Sequence, residues 1–316
     1  MTKPYTYLFG PVPSRRLGVS LGVDLVPPKT CSLDCVYCES GATTRLTVTR
    51  KAWVPLEEVK TELDRYLSEN DRPDAITFSG AGEPTLHSGI GELATYIKTI
   101  APDVRLVLLT NSTLFHLEDV REDAARMDLV IASYDAWDGE VFNTINRPHP
   151  SLTTRAMAEG LELFRGVCSG ELWLEFFVVQ GVNDHEEEVA RIAEVAGRIR
   201  PHRIQVNTLD RPGAEPWVTA ADAETLKRVT DVLNAGEVIS SYGNSTTNQA
   251  CNDDVPGAIL AMIGRRPGTR DDFLATLGVS PVAVDQAIAT LLEEGTIVVD
   301  ERPRGRFFKL SETLGK

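Results

Sequence analysis

Cys31-Ser-Leu-Asp-Cys35-Val-Tyr-Cys38 places three cysteines in one short loop, while the other two of the chain's five, Cys168 and Cys251, stand far away and alone. Thiols crowded in this way point to a metal site. Structural zinc usually takes four protein ligands from two paired motifs, and the sequence has neither a second paired-cysteine motif nor a His-x3–5-His pair. A disulfide framework is disfavoured by the low, odd cysteine count and by an N-terminus without signal-peptide character. A cubane iron–sulfur cluster fits better, because three thiolates satisfy three of its four irons and leave the last for a small chelating molecule.

Working outward, residues 9–18 form a Pro- and Gly-punctuated lead-in, and residues 20–26 alternate Leu21, Val23 and Leu25 as a first strand should. Arg15 and Arg16 are either anion binders or a surface ion pair. Beyond the cysteines, helical and strand patterns alternate. Helices are predicted over 55–68, 91–100, 117–126, 153–164, 185–199 and 220–233, and strands over 75–79, 105–110, 128–133, 172–179 and 203–207. Six strand–helix alternations imply an α/β fold with a parallel sheet, two short of the eight that close a full barrel. The cysteine loop follows the first strand and therefore belongs at the C-terminal mouth of the sheet, where α/β barrels carry their active sites.

The Cys-x3-Cys-x2-Cys spacing, with Tyr37 before the last cysteine, resembles the radical S-adenosylmethionine (SAM) superfamily. The preceding Phe9-Gly-Pro-Val-Pro-Ser-Arg-Arg-Leu-Gly-Val-Ser-Leu-Gly-Val-Asp-Leu-Val-Pro-Pro-Lys-Thr30 is similar to a subgroup grouped with the archaeal wyosine-synthesis enzymes. The likeness covers roughly residues 5 to 250, a usual domain size. It implies a partial (β/α)6 barrel, a [4Fe-4S] cluster on Cys31, Cys35 and Cys38, and SAM chelating the open iron through its amino and carboxyl groups. It also implies reductive cleavage of SAM to methionine and a 5′-deoxyadenosyl radical that abstracts hydrogen from substrate, with an electron donor such as flavodoxin or ferredoxin.

The resemblance extends to single residues. Gly80, Gly82, Glu83 and Pro84 match the family's Gly-Gly-Glu-Pro motif, with Ala81 in place of one glycine, and are expected at the SAM ammonium. Ser133 and Asp135 at one strand end, and Asn111 at another, are expected at the ribose or methionine carboxylate. Arg147 is a candidate fork donor to that carboxylate, and Asn183 a ribose contact. The backbone around Asn207 and Leu209 is expected at adenine, with Arg211 facing substrate. Tyr37 and Leu33 are expected to shield the cluster.

The chain divides into a barrel at 1–240, a polar loop at 241–254 and a C-terminal module at 255–316. Cys251, in the loop, is a candidate hydrogen-atom donor to a substrate radical. The module's three helical segments and hairpin look like a winged helix, a fold that often reads DNA through its last helix. Here that helix holds Asp285, Glu293 and Glu294 but no Lys or Arg, and the module's eight basic and eight acidic residues cancel. DNA readout is therefore not expected. Arg302, Arg304, Arg306 and Lys309 remain as candidates to grip a phosphate or an acidic peptide, the alternative being a packing cap on the barrel.

The 316 residues carry a net charge of −14, which repels nucleic acid phosphates on average. No apolar run reaches membrane-spanning length, so a cytoplasmic protein without a membrane partner is expected. Three functions are compatible with these features. The first is a radical SAM enzyme acting on a small molecule or peptide, the second a tRNA base-modifying relative of the wyosine enzymes, and the third a non-enzymatic, metal-containing winged-helix regulator.

Overall fold

The computed structural model describes residues 5–14, 16–235, 237–238, 254–302 and 305–311. Arg15, Cys251, Arg304 and nearly all of the 241–254 loop lie outside the described residues.

The chain opens with β1 (Leu8–Ser14) and β2 (Gly18–Val23), then β3 (Thr30–Cys31) and β4 (Arg45–Leu46), a short parallel pair bracketing the cysteine loop. There follow α1 (Leu56–Glu69), β5 (Ala75–Phe78), α2 (Ile90–Ile100), β6 (Arg105–Thr110), α3 (Glu118–Ala124), β7 (Leu129–Ser133), α4 (Gly139–Ile145) and α5 (Thr154–Val167). Next come β8 (Glu171–Val178), α6 (Glu186–Ile199), β9 (Arg203–Thr208), α7 (Ala223–Leu233) and β10 (Glu237–Val238). The main sheet has the order β1-β2-β5-β6-β7-β8-β9-β10. Every pairing from β2 onward is parallel.

The predicted six-strand succession is present, with additions at both edges. β1 pairs antiparallel with β2; two prolines, Pro11 and Pro13, suit an edge strand, where a missing ladder donor costs least. The lead-in is thus a strand. Helix α4 was also missed: Asp138 accepts from the backbone N–H groups of Glu140 and Val141 and starts it, but seven residues are too few to carry a clear periodic pattern.

Period-two alternation gives the sheet two distinct faces. Leu106 and Leu108, Val130 and Ala132, and Leu172, Leu174 and Phe176 join the helices in the large core. Residues on the other face, Ala75, Val107, Leu129, Ile131 and Trp173, form a smaller cluster with Leu17. The second face becomes polar further along: Ser20 bonds Thr77 at 2.6 Å, and Arg16 donates to Glu175 at 2.5 Å and Gln205 at 3.3 Å. Arg16 is therefore a half-buried ion-pair partner across the sheet face.

After the loop the chain forms α8 (Val255–Ile263), β11 (Gly268–Thr269), α9 (Arg270–Leu277), α10 (Pro281–Glu293), β12 (Ile297–Arg302) and β13 (Gly305–Leu310). The three strands make a separate antiparallel sheet. Ile259, Phe273, Val284, Leu291 and Phe308 give this unit a core of its own. Ion pairs join it to the main sheet's end: Arg265 with Asp24, Arg211 with Asp272, and Arg266 with Glu39. Among the described residues, no helix is long and apolar enough to cross a membrane.

Candidate active site

Both the cysteine loop and the glycine turn leave the carboxyl ends of neighbouring strands, β2 and β5, and they run alongside each other. Thr30 bridges Gly82, the Lys29 N–H donates to the Ala81 carbonyl at 2.6 Å, and the Glu83 N–H to the Thr30 carbonyl at 3.1 Å. This close approach explains the glycines. Gly80 has φ +133°, and a Cβ there would strike Asp24; one at Gly82 would strike the Thr30 carbonyl. Ala81 stands between them without such a restriction on φ.

Glu83 is buried and fully engaged. One carboxylate oxygen accepts from the Thr85 N–H at 3.0 Å and from the hydroxyls of Thr85 and Thr110 at 2.6 and 2.7 Å; the other accepts from the Asn111 N–H at 2.8 Å. Burial raises its pKa, and these four donors oppose the rise. Glu83 thus ties the ends of β5 and β6 together, and Pro84 begins the single 3-10 turn that follows.

Two asparagines reach the sulfurs. The Asn111 side-chain amide donates to Cys31 Sγ at 3.4 Å and to Ser32 Oγ at 2.9 Å. The Asn146 amide donates to Cys35 Sγ at 3.4 Å, to the Tyr37 hydroxyl at 3.2 Å and to Asp135 at 3.1 Å. Tyr37 lies on Phe177 and donates its hydroxyl to Asp135, whose other oxygen accepts from the Phe177 N–H at 3.0 Å. Burial pushes Asp135 up to about 6.

Cys31, Cys35 and Cys38 are free thiols, partly buried. Burial raises all three pKa values, Cys31 to about 12. Among the described residues no three His, Cys, Asp or Glu side chains converge as they would around one metal ion. A four-iron cluster asks for something different, one thiolate on each of three irons. The local chemistry suits such an anionic group. Amide donors stand at two sulfurs, and the Lys29 ammonium is buried without a hydrogen-bond partner among the described residues, its pKa lowered by burial and raised by the charge of Cys38.

The other expected contacts are placed as follows. Ser133 sits at the end of β7, where its carbonyl accepts from Ser112 at 2.6 Å. Asn183 is fully buried and spends its side chain on backbone: it accepts from Val179 and donates to the carbonyls of Asp135 and Phe177. Arg147 pairs with Glu215 at 2.6 Å and approaches Asp34 at 3.8 Å. Asn207, near the end of β9, accepts from the Thr208 N–H, and Leu209 packs on the main core. Arg211, expected to face substrate, is instead buried against Asp272 and the Pro267 carbonyl. Asn146, Lys29 and Phe177 were not singled out from sequence. Asn146 and Phe177 meet the cysteine loop from elements far along the chain, which no spacing rule encodes; Lys29 is local, two residues before Cys31, and only the fold shows that its ammonium is buried near Cys38.

The chain matches the radical SAM superfamily over residues 25–193. It is 31% identical over 297 residues to the protein named GTPase Obg of Brachyspira hyodysenteriae, covering 92% of this chain but only 43% of that longer protein. It is also 31% identical over 299 residues to a UPF0026 protein of Methanocaldococcus jannaschii, covering 93% of this chain and 92% of the relative. The SuiB structure of Streptococcus suis, bound to S-adenosylmethionine, shares the fold at a TM-score of 0.51, with 14% identity over 70% of this chain and 50% of that one. Sequence match and parallel-sheet fold converge on the segment that carries the cysteines. The chain belongs to the radical SAM superfamily, and it is an enzyme.

Proposed function

We propose that this chain holds a [4Fe-4S] cluster on Cys31, Cys35 and Cys38, binds SAM beside it, and abstracts hydrogen from a small-molecule or peptide substrate. The observation that carries the reading is the pair of side-chain amides, Asn111 on Cys31 and Asn146 on Cys35, aimed at the sulfurs from the ends of β6 and α4. Donors of this kind stabilise sulfur that bears negative charge and tune a cluster's potential. When bound, cluster and cofactor supply reductive cleavage of SAM and hydrogen-atom abstraction.

The residues around them do the placing. The backbone of Gly80–Gly82 offers carbonyls for the SAM ammonium, while Glu83 fixes that turn and carries charge nearby. Asp135, held by Tyr37, Asn146 and Phe177, and the strand-end Ser133 are assigned to the cofactor's polar groups. Asn207 and Leu209 lie at the end of β9, in keeping with an adenine contact. Asn183 holds the shape of the loop after β8, and Arg147 acts through its pairs with Asp34 and Glu215.

The division at 1–240, 241–254 and 255–316 is supported by the two separate cores. Three helices followed by a hairpin support a winged-helix-like module. Two of the described hairpin cations are tightly partnered within the hairpin: Arg302 with Asp300 at 2.8 Å and Arg306 with Glu301 at 2.9 Å. Together with the net charge of −14, this favours a small partner over nucleic acid, with flavodoxin or ferredoxin as electron donor.

The test is direct. Anaerobically reconstituted, reduced protein is incubated with SAM, and 5′-deoxyadenosine is measured. Production dependent on Cys31, Cys35 and Cys38 is expected; iron-loaded protein that makes none sinks the reading.

A further inference from the structure

We infer that the cleft between the cysteine loop and the C-terminal unit seats an oxyanion, a phosphate or carboxylate group on a small-molecule substrate. The inference rests on the enzymatic reading above for the role of the bound molecule, though not for its binding.

The cleft has a volume of about 420 Å³, within the range of small-molecule sites. Glu39, Ser40 and Gly41, which follow Cys38 directly, form one wall, so an occupant lies against the segment leaving the cysteine trio. The opposite wall comes from the end of α8 and from the β12–β13 hairpin.

Charge identifies the occupant. Among the described residues, the ionised side chains lining the cleft are Arg265, Arg266, Arg302 and Lys309 against Glu39 and Asp300. That excess of cations occurs in a chain whose overall net charge is −14. A local inversion of this kind draws an anion to one place.

The four cations are not equivalent. Arg265 is committed to Asp24 and lies 4.1 Å over the Phe9 ring, and Arg302 grips Asp300 at 2.8 Å. Arg266 and Lys309 reach their carboxylates only at 3.5 and 3.6 Å, longer than ordinary N–H···O bonds. Both side chains are about half exposed. An oxyanion entering the cleft can take shorter bonds from both without breaking a tight pair, and the guanidinium fork of Arg266 suits a planar or tetrahedral set of oxygens.

The experiment uses the full chain without iron or SAM. Inorganic phosphate and glutarate are titrated separately by calorimetry into the parent protein, into the double variant Arg266→Gln with Lys309→Met, and into Arg270→Gln. Arg270 pairs with Asp285 within the C-terminal unit, does not line the cleft and serves as the control. Saturable binding of at least one probe is expected, weakened at least tenfold in the double variant and unchanged in the control. Tighter phosphate supports a phosphorylated substrate, and tighter glutarate supports a carboxylate. Failure of both probes to bind, or equal binding by parent and double variant, overturns the inference. Because no cluster is present, this outcome is independent of whether 5′-deoxyadenosine is ever formed.

Discussion

Tyr37 lies flat on Phe177, with ring centroids 3.9 Å apart and planes inclined by 12°. One ring belongs to the cysteine loop and the other to β8, so the stack presses the loop onto the sheet end. Truncating Tyr37 to Ala removes the stack and leaves a hole, a change that costs about 3 to 5 kcal/mol for buried aromatics. Tyr37→Phe keeps the stack and removes only the hydroxyl donated to Asp135, costing about 1 to 3 kcal/mol. Urea denaturation of the iron-free protein is expected to rank parent above Tyr37→Phe above Tyr37→Ala. Equal stabilities for the two variants would falsify a packing role for the ring.

The carboxyl below that stack gives the protein a pH signature. Burial raises Asp135 to about 6 from an ordinary 3.8, so the folded state holds a proton that the unfolded state has already released. Stability from this group is fully present below about pH 4 and is lost as pH rises through 6, by about 3 kcal/mol in all. Asp135→Asn removes the titration. The difference in unfolding free energy between parent and variant is therefore expected to move against the parent from pH 4 to 6.5. A difference that stays constant over that window shows that Asp135 does not titrate as described.

The order of strands and helices was legible because it is written in local patterns. Ala75-Ile-Thr-Phe78 is an unbroken buried strand, and Arg105–Thr110 has the bounds its sequence predicts. Cysteine spacing is equally local, which is why the trio stood out. Asn146 was passed over because α4 was not predicted and an asparagine just before Arg147-Pro148 reads as an ordinary loop residue, and its reach to Cys35 depends on the docking of α4. Arg211 illustrates the opposite error. An arginine after a strand end looks available to substrate, and only the position of Asp272, 61 residues later, shows that it is consumed.

That pair yields a further prediction. The side chains of Arg211 and Asp272 are 3% and 10% exposed, and removing one member of a buried ion pair costs about 3 to 5 kcal/mol because the other is stranded. Arg211→Met is expected to loosen the C-terminal unit and raise the protein's susceptibility to limited proteolysis. Asp272→Asn added to it should recover part of the loss, since the neutral amide leaves no stranded charge and its oxygen still accepts from the Thr269 N–H. If the double variant is no better than the single one, the coupling between the two residues is absent.

Lys29 offers the sharpest probe of the cysteine site. Its backbone is pinned between Ala81 and the segment at Thr44 and Arg45, and it has φ +61°. Its ammonium is buried without a hydrogen-bond partner among the described residues; Cys38 is the charged group that favours its protonated form. Burying a cation is costly unless a negative group faces it, and a thiolate-ligated cluster is such a group. Lys29→Met keeps most of the side chain's bulk and deletes the charge. Without that charge the more negative, reduced cluster is less favoured, so the midpoint potential is expected to fall by about 59 mV, a tenfold change for one electron. Iron-free Lys29→Met should meanwhile be no less stable than the parent, because an unsatisfied buried ammonium has been removed. Potentiometric titration followed by electron paramagnetic resonance reads the first effect and urea denaturation the second. A potential that does not move would mean that the ammonium lies outside the cluster's field.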